Sequence, residues 1–68
     1  MKQLQTKIYE YRRERNVTQI ELAEAVGARR ETIARLERGM YNPSLKLAYD
    51  IANYFEVTIE DIFSFVDV

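Results

Sequence analysis

Apolar residues recur at intervals of three and four along most of the chain, a period typical of amphipathic helices. The pattern predicts five short helices, over residues 6–15, 18–26, 29–38, 44–55 and 58–63. The inward stripe predicted for these helices comprises Ile8, Tyr11, Arg12, Leu22, Ala23, Val26, Ile33, Leu36, Leu45 or Leu47, Ala48, Ile51, Ala52 and Phe55. An apolar stripe must be buried against another element, and the stripes of five helices can pack against one another in a helical domain.

Local start and stop signals support these limits. Residues 18–21 (TQIE) and 58–61 (TIED) each place an acidic residue three positions after a threonine, which predicts a capping box at a helix start. Ser44 follows an Asn-Pro pair and is a suitable N-cap for the fourth helix. Gly27 and Gly39 are placed to end the second and third helices, because glycine tolerates positive φ.

The two ends of the chain lack helical periodicity and favour extended structure. Pairing of residues 2–5 with residues 63–68 could therefore add a small sheet to an all-α, five-helix fold. With 68 residues and no linker-like stretch, residues 1–68 form one domain.

The composition excludes several kinds of site and activity. The chain has neither cysteine nor histidine, so disulfides and the usual zinc ligands are excluded, and no metal or cofactor is expected. No apolar run is long enough for a membrane span, and a cytoplasmic location is expected. Without a histidine or cysteine, and with no base beside either serine, an enzyme is not expected.

The charge is divided unevenly along the chain, although the net charge is only −1. Residues 1–40 contain nine Lys or Arg against six Glu, a balance of +3, whereas residues 41–68 contain one Lys against five acidic residues, a balance of −4. This asymmetry predicts one surface that binds a polyanion and a second surface with a different function.

The segment 18–38 has the dimensions of a helix-turn-helix: two helices of two to three turns are joined by a tight turn at Gly27. The ordered motifs TQIELA, Gly27, Thr32-Ile33, LERG and NPSL resemble the Cro/phage-repressor type of helix-turn-helix regulator, also called the xenobiotic-response-element family. The resemblance extends through residue 63. It implies sequence-specific binding of double-stranded DNA, most naturally as a repressor, with helix 29–38 in the major groove.

The resemblance also implies residue roles. Base contacts are assigned to Arg30, Glu31 and Arg35, and their chemistry suits a half-site that contains G·C pairs, although each arginine could instead contact phosphate. Phosphate contacts are assigned to Gln19, Arg29, Thr32, Arg38, Gly39 and Tyr41, with packing on Pro43 as the alternative for Tyr41. Arg29 departs from the family, which has Ser or Thr as an N-cap there; an arginine cannot cap the recognition helix.

Two further expectations concern structure and assembly. The resemblance implies an ion pair between Arg12 and Glu37 that ties the first helix to the third. Apolar residues in excess of a small core predict a homodimer on a palindromic operator, built from residues 58–68, with the interface residues Ile62, Phe63, Phe65 and Val66. The alternative is an antitoxin-like or other protein-interaction module that binds DNA secondarily.

Overall fold

The computed structural model describes all 68 residues as five helices flanked by two short strands. The elements are β1 (Lys2–Thr6), α1 (Ile8–Arg15), α2 (Gln19–Val26), α3 (Arg30–Glu37), α4 (Leu45–Tyr54), α5 (Ile59–Ile62) and β2 (Phe63–Asp67). The prediction of a five-helix, repressor-like fold is confirmed. No helix in the structure is long and apolar enough to cross a membrane.

The core lies where one face of each helix meets the others. Its fully buried side chains are Phe55, Ile8, Leu22, Ile33, Leu36, Ile51 and Ile62. Phe55 packs against Tyr11 and Tyr54, with ring centroids 5.6 and 5.0 Å apart. Of the two leucines that the pattern left open, Leu47 packs against this core, whereas Leu45 is 78% exposed.

Side-chain caps fix where α2, α4 and α5 begin. In α2, the Glu21 N–H donates to the Thr18 Oγ1 at 3.0 Å, and the Thr18 N–H donates to the Glu21 carboxylate at 2.9 Å. Thr58 and Asp61 make the same reciprocal pair at α5, and the Leu47 N–H donates to the Ser44 Oγ at 3.1 Å. Both predicted capping boxes are therefore confirmed.

The capping boxes make the fold sensitive to acid. The hydrogen bond from the Thr18 backbone N–H, and then that with its hydroxyl, lowers the pKa of Glu21 below its usual 4.5. Such a carboxylate contributes stability that is present above its pKa in the unfolded chain and is lost as the pH falls through the lower folded value. We expect Glu21→Gln to reduce the loss of thermal stability between pH 5 and pH 2. Glu24→Gln, at an exposed position of α2 without a cap bond, is the control. An unchanged pH profile in Glu21→Gln would contradict the expectation.

The terminal segments pair as an antiparallel sheet, in a register that runs from Lys2 opposite Asp67 to Thr6 opposite Phe63. The predicted pairing is thus present, and β1 is one residue longer than expected. Consequently α1 begins at Ile8 and not at Thr6, because the Thr6 backbone belongs to the strand and its hydroxyl hydrogen-bonds to the Leu36 carbonyl at 3.4 Å. Leu4 is buried and brings the sheet into the core.

The sheet also changes the predicted dimer surface. Ile62 and Phe63 are only 2% and 9% exposed, because α5 and the start of β2 close the core of the protomer itself. These two residues were expected at an interface, and they offer almost no side-chain area to a partner. Phe65, at 57% exposure, and the partly buried Val66 remain on the surface.

Candidate nucleic-acid interface

The candidate interface is built by α2, α3 and the turn between them. Gly27 ends α2 with a φ of 72°, and the N–H of Ala28 donates to the Ala23 carbonyl at 2.9 Å. This left-handed cap reverses the chain within a few residues, so α2 and α3 pack directly on each other. The arrangement is a helix-turn-helix, in which the second helix presents one face to solvent.

The exposed face of α3 contains the three residues predicted to contact bases. Ile33 and Leu36 are buried and anchor the helix, so Arg30, Glu31 and Arg35 lie on its outer side and are exposed. Thr32 is partly buried at the edge of that face. The structure therefore brings the three predicted base-reading residues together on one surface.

Arginines on and next to α3 have no acidic partner within the chain. Lys2, Arg12, Arg15 and Lys46 each form an ion pair. In contrast, the four exposed arginines on and next to α3 form none: Arg29, Arg30, Arg35 and Arg38. Four arginines outnumber Glu31, the one exposed carboxylate among them, and give this face a positive potential, although the whole chain carries −1.

The start of α3 lacks a side-chain cap. Arg29 occupies the N-cap position with an extended backbone, and its side chain accepts no hydrogen bond from the first turn, as expected for a residue that has only donors. The N–H groups of Thr32 and Ile33 donate to the Arg29 carbonyl, so those of Arg30 and Glu31 remain free for solvent or an anion.

The start of α2 is organised differently. Gln19 is the first residue of the helix, and its side-chain Nε2 donates to the Glu37 Oε1 at 3.0 Å. A shallow depression lies beside it, lined by Arg12, Asn16, Val17, Thr18, Gln19, Ile20 and Arg30. One cavity thus joins the N-terminus of α2 to the first residue of α3.

The segment after α3 lies next to this face. Gly39 has a φ of 69°, and its N–H and that of Met40 donate to the carbonyls of Leu36 and Arg35, each at 3.0 Å. Arg38 is exposed, and Tyr41 is 41% exposed. The backbone turn therefore presents these two predicted phosphate-contacting side chains at the C-terminal end of α3.

Arg12 and Glu37 form an ion pair beneath the interface. The Arg12 Nε donates to the Glu37 Oε2 at 2.6 Å and its Nη2 donates to Oε1 at 3.1 Å, a bidentate arrangement. The two side chains are only 11% and 9% exposed. The Arg12 Nη1 also donates to the Val17 carbonyl at 2.9 Å, which fixes the segment leading into α2.

Two features of this region have no counterpart in the sequence-based predictions. The first is the hydrogen bond from Gln19 to Glu37, which no local spacing could reveal because it joins residues 18 positions apart. The second is an apolar groove between α4 and α5 bordered by Leu45 and Tyr49, which are 78% and 58% exposed. Two large apolar residues at an interval of four, outside the buried stripe, were a signal for the groove.

Comparisons with known proteins agree with this geometry. Residues 8–62 match the helix-turn-helix family model. An uncharacterized HTH-type transcriptional regulator of Archaeoglobus fulgidus is 61% identical over 62 residues, which cover 91% of this chain and 87% of the relative. Another, from Methanocaldococcus jannaschii, is 48% identical and aligns over 94% of this chain and 97% of its own. The solved structure of the transcriptional regulator VanUg (Form II) superposes with a TM-score of 0.83 at 26% identity, over 98% of this chain and 89% of that one.

The matches to sequence and structure cover the helix-turn-helix and the helices that support it. This is a DNA-binding class of protein and not an enzymatic one. The chain belongs to the Cro/phage-repressor type of helix-turn-helix transcriptional regulators.

Proposed function

We propose that the chain binds a specific double-stranded DNA operator as a homodimer and represses transcription, with α3 in the major groove. The observation that carries this proposal is the set of unpaired arginines on and around the exposed face of α3. A protein seated across a promoter occupies the DNA that the transcription machinery needs, and so we propose repression as the outcome.

Base reading is assigned to the outer side of α3. Arg30 and Arg35 can each donate two hydrogen bonds to the O6 and N7 atoms of guanine, and Glu31 can accept one from the amino group of cytosine. All three side chains are exposed and free of ion pairs with one another. The proposed half-site therefore contains G·C pairs.

Phosphate contacts are assigned to the residues that surround this face. Arg29 and Arg38 flank α3, Thr32 lies at its edge, and Gln19 stands at the N-terminus of α2. The N–H of Gly39 already donates to Leu36, so the contribution of Gly39 is to bring the backbone and the neighbouring Tyr41 close to the DNA. Phosphate contacts fix the position of the protein on the duplex, and base contacts select the sequence.

A titration with DNA that flanks the protein's own gene, at several salt concentrations, tests the DNA-binding proposal. We expect Arg30→Ala to weaken specific binding by about 1–3 kcal/mol and to relax the preference at one base pair. Arg13→Ala is the matched control, because Arg13 is also exposed but lies on α1, bonded to Tyr9. Selection from randomised DNA that returned only A·T half-sites would contradict the assignment of Arg30, Glu31 and Arg35.

The homodimer is proposed to form through the groove between α4 and α5. Leu45 projects beside a depression lined by Ala52, Val57 and Ile59. The surface therefore has both a protruding apolar side chain and an apolar depression. A two-fold axis through such a surface lets Leu45 of each protomer enter the depression of the other. A dimer that reads a palindromic operator must place its two α3 helices on the same side of the duplex, about 34–36 Å apart.

Sedimentation of two single variants tests this interface against the C-terminal strand. We expect Leu45→Glu to be monomeric at micromolar concentration and Phe65→Glu, a change of the same kind at a position 57% exposed, to remain dimeric. Both positions are exposed in the protomer, so both variants should keep the helical circular dichroism of the wild type. Dissociation by Phe65→Glu alone would place the interface at β2 instead.

A further inference from the structure

A hydrogen bond connects the residue proposed to hold a phosphate to the buried ion pair. Glu37 accepts from both Arg12 and Gln19, and its Oε1 is the shared acceptor, 3.1 Å from the Arg12 Nη2 and 3.0 Å from the Gln19 Nε2. The ion pair is almost fully buried, whereas Gln19 is only partly buried at the rim of the depression next to Arg30. The three residues therefore form a chain of contacts from the interior to the DNA-facing surface.

This bond restricts an otherwise flexible side chain. Glutamine has three side-chain torsions and an amide that can present either its oxygen or its nitrogen. Donation of one N–H to Glu37 determines which end of the amide is the donor end and keeps the nitrogen beside the N-terminus of α2. The second N–H has no acceptor within the protein. An amide held in this way is ready to donate to a phosphate without the entropic cost of ordering the side chain.

The charge of Glu37 would work against DNA if it stood alone. A bare carboxylate within hydrogen-bond distance of a phosphate-binding amide repels the phosphate. The Arg12 guanidinium removes that repulsion, because it forms two hydrogen bonds with the same carboxylate. Glu37 can thus accept from Gln19 while the pair as a whole stays neutral.

We propose that Glu37, neutralised by Arg12, is a positioning residue that holds the Gln19 amide for a DNA phosphate. The ion pair then serves DNA binding as well as the joining of α1 to α3. This inference rests on the proposed DNA-binding function. If the pair had only a structural role, replacing it without loss of stability would leave DNA affinity unchanged. The proposed positioning role predicts that DNA affinity falls.

The test is a double-mutant cycle in DNA binding that uses the variant Arg12→Met/Glu37→Met. Replacing both members of a buried pair with apolar residues preserves stability in favourable cases, and this replacement leaves the net charge unchanged. We expect its operator affinity to fall about tenfold, as it does for Gln19→Ala alone, with the salt dependence unchanged because a neutral amide releases no counterion. Adding Gln19→Ala to the double variant should then change affinity by less than about twofold.

Wild-type affinity in a folded Arg12→Met/Glu37→Met protein, or an equal cost of Gln19→Ala in both backgrounds, would overturn the inference. A wild type that shows no specific DNA binding would instead overturn the proposed function. Side-chain amide NMR relaxation in the free wild-type protein decides the matter if the double variant does not fold. The Gln19 amide should be rigid, in contrast to the exposed Gln3 and Gln5 amides, and equal mobility of all three would contradict the proposed positioning.

Discussion

Replacing Arg12 alone with methionine is expected to lower the free energy of unfolding by about 3–5 kcal/mol. The substitution leaves the Glu37 carboxylate, which is only 9% exposed, without its guanidinium partner. It also removes the donor to the Val17 carbonyl at the entry to α2. Small domains have about 0.05–0.15 kcal/mol of stability per residue, so this loss is a large share of the total for 68 residues.

Thermal and urea denaturation of Arg12→Met beside Arg13→Met measures this effect. Arg13 is the next residue of α1, but it is exposed, and its hydrogen-bond partner is the Tyr9 hydroxyl at the surface. The control should therefore lie within about 0.5 kcal/mol of the wild type. Equal stabilities of the two variants would show that the Arg12–Glu37 pair contributes no more than a surface contact.

Gly39→Ala is expected to cost about 2–5 kcal/mol, for two reasons that add. A φ of 69° is unfavourable for any residue with a Cβ, by about 1–2 kcal/mol. In addition, a Cβ at position 39 would overlap the backbone carbonyl of Leu4, and forced overlap inside a packed structure costs about 1–3 kcal/mol. Because that carbonyl belongs to β1, relief of the overlap requires the strand to move away from the end of α3.

Gly27→Ala separates the two contributions. Gly27 has a φ of 72°, almost the same as that of Gly39, but nothing lies within 4 Å of the position that its Cβ would occupy. We expect this variant to lose only the conformational part, about 1–2 kcal/mol. Denaturation midpoints of the two variants that agree within error would mean that the approach of Leu4 to Gly39 is not a tight contact in solution.

Local rules in the sequence were sufficient for the helices. Hydrogen bonds between residues three or four positions apart form the capping boxes at Thr18 and Thr58, the Ser44 cap and the glycine stops, and a sequence displays such spacings directly. The same rules identified Arg29 as a position without a cap. The exposed face of α3 followed from the buried spacing of Ile33 and Leu36.

Local rules failed where two segments compete for the same residues. Thr6 continues the predicted helical pattern, but pairing with β2 draws it into a strand. Phe63 was expected at an interface, and the same pairing places it in the core of the protomer, next to Ile62 of α5. In both cases the residue's environment depends on a strand partner about sixty positions away in the sequence.

By itself, the sequence determined the five helices, the helix-turn-helix and the cationic composition of the recognition helix, because periodicity, caps and charge are properties of neighbouring residues. Only the tertiary structure decided that Glu37 accepts from both Arg12 and Gln19, that Gly39 lies against Leu4, and that Leu45 faces solvent beside a groove. The first two features depend on how α1, α2, α3 and β1 pack, and the third depends on how α4 packs against α5. The energy that fixes such packing is a sum over contacts distant in sequence, which no local pattern contains.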